Sequence, residues 1–256
     1  WPETMMTYEP QSRTLFSCDA FGSYGAAGDR ICDDEFNEEE HTLFEKESLR
    51  YYANIVASLS NFVKSALEKL KSLPVNIIAP SHGMIWRTNP QTIIDRYARY
   101  AGYNTGGAQE KDICVIWGSM YGNTRIGVNA VIEGIKEEGV PFTEIEIPKT
   151  DVSEVLANAF SRKGLVIAMP TYEYKMFPPM AYVLELLGRK HVTDKIVFRL
   201  GSWGWSGGAE KDFIAVVDSY KWTFVESCEW QGVPTEENLM ILKERGRELA
   251  RQVRNS

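Results

Sequence analysis

Three histidines and four cysteines in 256 residues leave little material for a sulfur- or imidazole-rich metal site. Cys18, Cys32, Cys114 and Cys228 stand far apart with no Cys-x-x-Cys pair, which excludes a cysteine zinc site and a rubredoxin-type iron site. Scattered, reduced thiols of this kind fit the cytoplasm. No apolar run approaches the ~18 residues of a membrane span, and no signal-peptide pattern opens the chain. Basic charge is also short. Residues 1–108 hold 10 basic against 14 acidic groups and residues 109–256 hold 18 against 21, for a net charge of −7. A nucleic-acid partner needs a concentrated positive face and is not expected. Two phosphate-loop signatures are missing as well: no Lys follows the glycines after the apolar run at 112–117, and no Gly-x-Gly-x-x-Gly follows a strand.

What is present organises itself around Trp117-Gly-Ser-Met-Tyr-Gly-Asn-Thr124. The preceding Asp112-Ile-Cys-Val-Ile-Trp117 reads as a buried parallel strand, and Ile126 to Glu138 has helical apolar spacing. A strand, a tight loop and a helix start make an anion cradle. Gly118 and Gly122 allow close backbone approach, while the hydroxyls of Ser119 and Thr124, the Asn123 amide and backbone N–H groups supply donors. The sequence Ser-x-Tyr-Gly-Asn-Thr resembles the phosphate loop of flavodoxins, which holds the monophosphate of FMN without a cationic side chain.

With 44% hydrophobic residues, the chain is long enough for two ordinary domains. It starts at Trp1 without Met, in residues Trp1 to Tyr8 that read as loop and strand interior, as expected of a piece lacking its upstream part. Met5–Tyr8 and Thr14–Ser17 read as an antiparallel hairpin around a polar turn at 9–13. A glycine-rich, acidic loop is expected through Glu40. One long amphipathic helix is then expected, with Leu49, Tyr52, Val56, Leu59, Val63, Ala66 and Leu70 on its apolar stripe. A strand at Val75–Ala79 and a helix at Pro90–Ala101 complete this part. Asp19 and His82 each follow a strand, and carboxylate with imidazole suits iron or zinc.

Tyr103-Asn-Thr-Gly-Gly-Ala-Gln109 has the composition of a domain junction. Beyond it five strands alternate with helices, which predicts an α/β, doubly wound, five-stranded parallel sheet over 109–256. Ligands then gather beyond the C-terminal ends of strands one, three and four. After strand three comes Pro170-Thr-Tyr-Glu-Tyr174, and after strand four Gly201-Ser-Trp-Gly-Trp-Ser-Gly-Gly208. Glycines admit a planar ring, aromatics stack on it, and backbone N–H groups meet its polar edge. The expected flavin contacts are Ser119, Met120, Tyr121, Gly122, Asn123 and Thr124; Pro170, Thr171, Tyr172 and Glu173; and Ser202, Trp203, Gly204, Trp205, Ser206 and Gly207.

Phe16-Ser-Cys-Asp-Ala-Phe-Gly22 and Ala79-Pro-Ser-His-Gly-Met-Ile-Trp86, followed by the flavodoxin pattern, resemble the flavodiiron protein family across essentially the whole chain. The resemblance implies that residues 1–108 are the C-terminal part of a metallo-β-lactamase-like αββα domain, with Asp19 bridging two irons and His82 ligating one. Residues 109–256 would be the flavodoxin-like FMN-binding domain. It further implies an oxidoreductase that passes electrons from FMN to a di-iron site, reducing dioxygen to water or nitric oxide to nitrous oxide, as a head-to-tail homodimer or a dimer of dimers. The lack of a rubredoxin extension and the wording Thr171-Tyr-Glu-Tyr-Lys-Met-Phe177 are similar to the methanogen branch, whose electron donor is reduced coenzyme F-420. The chain departs from the family in lacking its His-x-Glu-x-Asp-His motif and a further ligating His, since His41 and His191 have no such surroundings. Two rivals remain: a flavodoxin-like electron carrier with an accessory domain, and a zinc hydrolase fused to a flavin module.

Overall fold

The computed structural model describes residues 4–26 and 28–256; Trp1 to Glu3 of the stretch expected as loop and strand interior, and Ala27 of the expected glycine-rich loop, lie outside them. The chain divides after Ala108 into two units, each with its own sheet. In the first, β1 (Thr7–Glu9) and β2 (Thr14–Cys18) form the expected hairpin, with Thr7 opposite Phe16. The Glu9 carboxylate closes the turn by accepting from the backbone of Gln11 and Ser12. β3 (Ile77–Pro80) joins β2 in parallel, giving the order β1-β2-β3.

The helical segment differs from expectation in two ways. Helix α1 (Glu38–Tyr51) starts inside the acidic stretch expected to be loop, because Asn37 and Glu40 form a reciprocal capping box. The stripe from Leu49 to Leu70 is not one helix either. A π-turn at Tyr52–Val56 and a 3-10 turn at Ala57–Leu59 separate α1 from α2 (Ser60–Leu70). Tyr51, Tyr52, Ala53, Val56 and Ala57 are all buried, an arc wider than the apolar stripe of a regular α-helix, and the wider turn lies where they meet the core. The Ala57 carbonyl there accepts from the Ser60 N–H, and also from Ser60 Oγ at 2.8 Å and Asn104 Nδ2 at 2.9 Å. Helix α3 (Pro90–Gly102) adds Tyr97 and Tyr100 to a tyrosine cluster, with Tyr52 and Tyr97 edge to face at 5.1 Å.

In the second unit β4 (Glu110–Trp117), β5 (Phe142–Glu146), β6 (Arg162–Ala168), β9 (Ile196–Trp203) and β10 (Thr223–Gln231) form one parallel sheet in the order β10-β9-β6-β4-β5. Ile113 to Ile116 and Leu165 to Ala168 are fully buried, as strands covered on both faces must be. Helices α4 (Asn123–Glu137) and α8 (Glu236–Asn255) cover one face. They approach so closely that a Cβ at Gly134 would fall 2.0 Å from the Lys243 carbonyl oxygen. On the other face lie α5 (Val152–Ser161), α6 (Pro178–Arg189) and α7 (Ala209–Val217).

Two expected loops contain strand. Thr171–Tyr172 (β7) and Lys175–Met176 (β8) make a small hairpin. β9 runs three residues past Leu200, because Gly201, Ser202 and Trp203 pair with Glu229, Trp230 and Gln231. The strand order reverses at β4, whose neighbours β5 and β6 lead to opposite edges, and that opens a crevice at its C-terminal end. Among the described residues no helix is long and apolar enough to cross a membrane.

Candidate functional site

β4 ends at Trp117, and the chain turns sharply because Gly118 donates to the Ala168 carbonyl at 2.9 Å while the Phe177 ring occupies the place of a Cβ. Gly122 has φ +89°, the left-handed region, and α4 begins at the next residue. Its N–H donates to Ser119 Oγ at 2.9 Å, which shapes the turn. The first N–H groups of α4 have no intrahelical acceptor and face the crevice end of the sheet, as an anion requires.

Ser119, Met120, Tyr121 and Asn123 form one wall of a groove of about 230 Å³. Pro170, Thr171, Tyr172 and Glu173 form a second wall, and Ser202, Trp203, Gly204 and Trp205 a third. Three loops distant in sequence therefore meet at one place. Four of the expected contacts do not line the groove: Gly122, Thr124, Ser206 and Gly207. Thr124 is fully buried, and its hydroxyl lies 3.0 Å from Ser202 Oγ, joining the first loop to the third. Gly122 contributes backbone shape, while Ser206 Oγ bonds the Gly207 carbonyl at 3.3 Å.

The second wall is a two-residue hairpin turn in which Glu173 (φ +45°) and Tyr174 (φ +65°) are both left-handed, an uncommon state for residues with side chains. Asp212 of α7 holds it, accepting from the Met176 backbone at 3.1 Å and pairing with Lys175 at 3.2 Å. The third wall is tied down by β10: Gln231 Nε2 donates to the Gly204 carbonyl and the Gly232 N–H to that of Trp203, each at 2.8 Å. Gly232 (φ +65°) itself lines the groove. Sequence reading missed Asp212, Gln231 and Gly232. A Gln-Gly turn after the fifth strand was the only signal for the last two.

In the first unit Asp19 and His82 come together at the ends of β2 and β3, with Nε2 3.4 Å from Oδ1. Cys18, at φ +53°, bends the chain there, and its carbonyl accepts from Ser81 at 2.8 Å. Tyr51 lies against this pair, its ring 5.7 Å from that of His82. Burial, and after it the nearby Asp19 carboxylate, pushes the Tyr51 hydroxyl well above its usual range. Both side chains of the pair are donors that iron accepts, but two donors cannot fix two metal ions. Among the described residues no group of three or more His, Cys, Asp or Glu could hold a metal. His41 bonds the Asp33 carbonyl at 2.8 Å instead.

No family model matches the chain. It is 33% identical over 258 aligned residues to the anaerobic nitric oxide reductase flavorubredoxin of Escherichia coli K12, with 98% of this chain and 52% of that protein aligned. The chain thus spans about half the length of the curated relatives it matches. Among solved structures it superposes on the flavodiiron protein from Giardia intestinalis with a TM-score of 0.93, at 26% identity, covering 100% of this chain and 62% of that one. A flavo di-iron protein variant from Thermotoga maritima gives 0.85 at 25% identity, covering 99% and 61%. An archaeal flavodoxin gives 0.51 at 23% identity, covering 56% of this chain and 99% of its own, a likeness of fold. With a flavodoxin-like sheet, a three-walled groove at its switch point, a flavorubredoxin relative aligned over 98% of this chain and flavodiiron structures that superpose on it, the chain belongs to the flavodiiron protein family.

Proposed function

We propose that residues 109–256 bind FMN in the three-walled groove and that the protein is an oxidoreductase. The phosphate would lie at the Ser119–Asn123 turn, on the α4 N-terminus, with the ring between the aromatic second and third walls. The observation that carries this is the convergence of three separate loops on one groove at the ends of β4, β6 and β9. The fit is a matter of donors and space. Ser119, Asn123 and backbone N–H groups provide neutral donors for a monophosphate, and beyond Trp203 and Trp205 no residue has a heavy atom within 4 Å of the Cβ position at Gly204 among those described. When bound, FMN supplies reversible two-electron chemistry. The chain's own contribution is to orient the ring by Tyr172 and Trp205 and to hold both walls through Asp212 and Gln231.

As the activity we propose electron transfer from FMN to a di-iron site that reduces dioxygen to water or nitric oxide to nitrous oxide, in the cytoplasm. Reduced coenzyme F-420 would be the donor, and a head-to-tail homodimer the assembly. Residues 1–108, read as part of a metallo-β-lactamase-like domain, would contribute Asp19 and His82 as two of the ligands. Those two do not complete the site. The nitric oxide reading draws support from relatives at 33% identity that are named for that reaction.

Denaturing the purified protein and separating the released flavin by chromatography tests the reading. About one FMN per chain is expected. Recovery of FAD, or of no flavin after reconstitution with excess FMN, overturns it.

A further inference from the structure

We propose that a buried ion pair, Arg199 with Glu229, sets the electron affinity of the groove; the inference rests on the reading that the groove holds FMN. Arg199, in the middle of β9, is 1% exposed and the largest fully buried side chain. Its Nη2 lies 2.5 Å from Glu229 Oε1 on β10, yet Nε, Nη1 and Nη2 make no aligned hydrogen bond. Among the described residues one carboxylate, itself one-fifth exposed, compensates this charge at close range.

An arginine so placed is costly. Burying a charge without a full set of acceptors is destabilising, and a well-packed apolar pair would often serve the sheet as well. The position of the pair gives it a use. Glu229 stands opposite Gly201 in register. A Cβ at Gly201 would lie 3.3 Å from Arg199 Nη2, and one at Gly207 would lie 3.6 Å from Glu229 Oε2. The pair thus sits directly behind the 201–207 segment, whose Ser202, Trp203, Gly204 and Trp205 wall the groove. The other charged groups bordering Arg199 in the hollow between α7 and β10 are Glu210, Asp218, Lys221 and Glu226, none of them buried.

Reduction adds negative charge to a bound flavin. A positive charge in the low-dielectric wall favours that change, and a negative one opposes it. Removing each partner should therefore displace the flavin midpoint in opposite directions, which loosening of the wall cannot do.

The test uses the FMN-loaded protein and its Arg199→Gln, Glu229→Gln and Arg199→Lys variants. Each is equilibrated anaerobically with dithionite and a reference dye, while the FMN dissociation constant is measured in parallel. Arg199→Gln should lower the midpoint and Glu229→Gln raise it, each by about tenfold in the flavin–dye equilibrium constant, the size expected at an effective dielectric of about 20 over about 10 Å. Arg199→Lys should stay near the parent. Shifts of the same sign, or none, overturn the proposal while leaving FMN binding intact as a reading. If Arg199→Gln does not fold, a rise in Glu229→Gln at an unchanged dissociation constant for oxidised FMN decides, since a loosened wall would weaken that binding. A parent protein that takes up no FMN overturns both readings.

Discussion

The two units hold their loops in different ways. In the second, apolar strands buried on both faces form a rigid platform, and the loops converge because the strands end together. In the first, the sheet has three short strands, and much of the order comes from polar clamps. Asp33 is buried, and its carboxylate accepts from the backbone N–H groups of Arg87, Thr88 and Asn89 at 3.0 to 3.2 Å. Tyrosine rings and the Asn104–Ala57 bond do similar work around the π-turn. A parallel sheet brings its loops together by chain topology, with Asp212 and Gln231 fastening two of them, whereas in the small sheet side-chain clamps carry more of that work.

The sharpest test of that contrast is Asp33→Ala. Three backbone N–H groups would lose their buried, charged acceptor at once, and stability should fall by about 3 kcal/mol in urea unfolding. A loss no larger than that of a surface substitution would remove the distinction between clamp and platform.

In the second unit the largest cost should come from the α4–α8 contact. Gly134→Ala places a methyl against the Lys243 carbonyl, and a loss of about 2 kcal/mol is expected from thermal melts. Gly139→Ala, at φ +68° in open space, should cost only about 1 kcal/mol. Equal losses would mean that helix contact is not what makes the platform rigid.

Within the groove, two neighbouring residues should separate. Asn123→Ala should leave stability unchanged and weaken FMN binding by about tenfold, read by quenching of flavin fluorescence. Thr124→Val breaks the buried pair with Ser202 and should cost about 1 kcal/mol of stability.

The smallest effect concerns the surface ion network joining α4 and α8. Hydrogen bonds from Lys243 and then Arg247 hold the Glu137 carboxylate below its ordinary range, and Arg251 and then Arg247 do so for Glu244. A lowered folded-state value means stability that is present above the ordinary glutamate range and lost as pH falls through the depressed values. Melts below pH 4.5 should therefore show a small decline that 0.5 M salt reduces, since both carboxylates are exposed.

Much of the second unit was legible because period and punctuation agree there. β-branched runs of strand length, each followed by glycine or proline, can be little else. The first unit was harder to read. Its apolar spacing from Leu49 to Leu70 is as regular as that of any helix, and nothing in that spacing announces the π-turn at Tyr52–Val56.

The sequence by itself determined the parallel sheet, the three loops that meet at its crevice, and the nearness of Asp19 to His82, since each follows from where strands end. Only the tertiary structure decided which residues of those loops reach the groove. It turned Thr124 inward to Ser202, brought Gly232 into the wall, set Asp212 and Gln231 to hold two of the walls, and buried Arg199 behind one of them. The physical reason is that strand ends are specified by local pattern. The direction of a side chain, by contrast, depends on which distant backbone atoms it meets, and a one-dimensional pattern does not carry that.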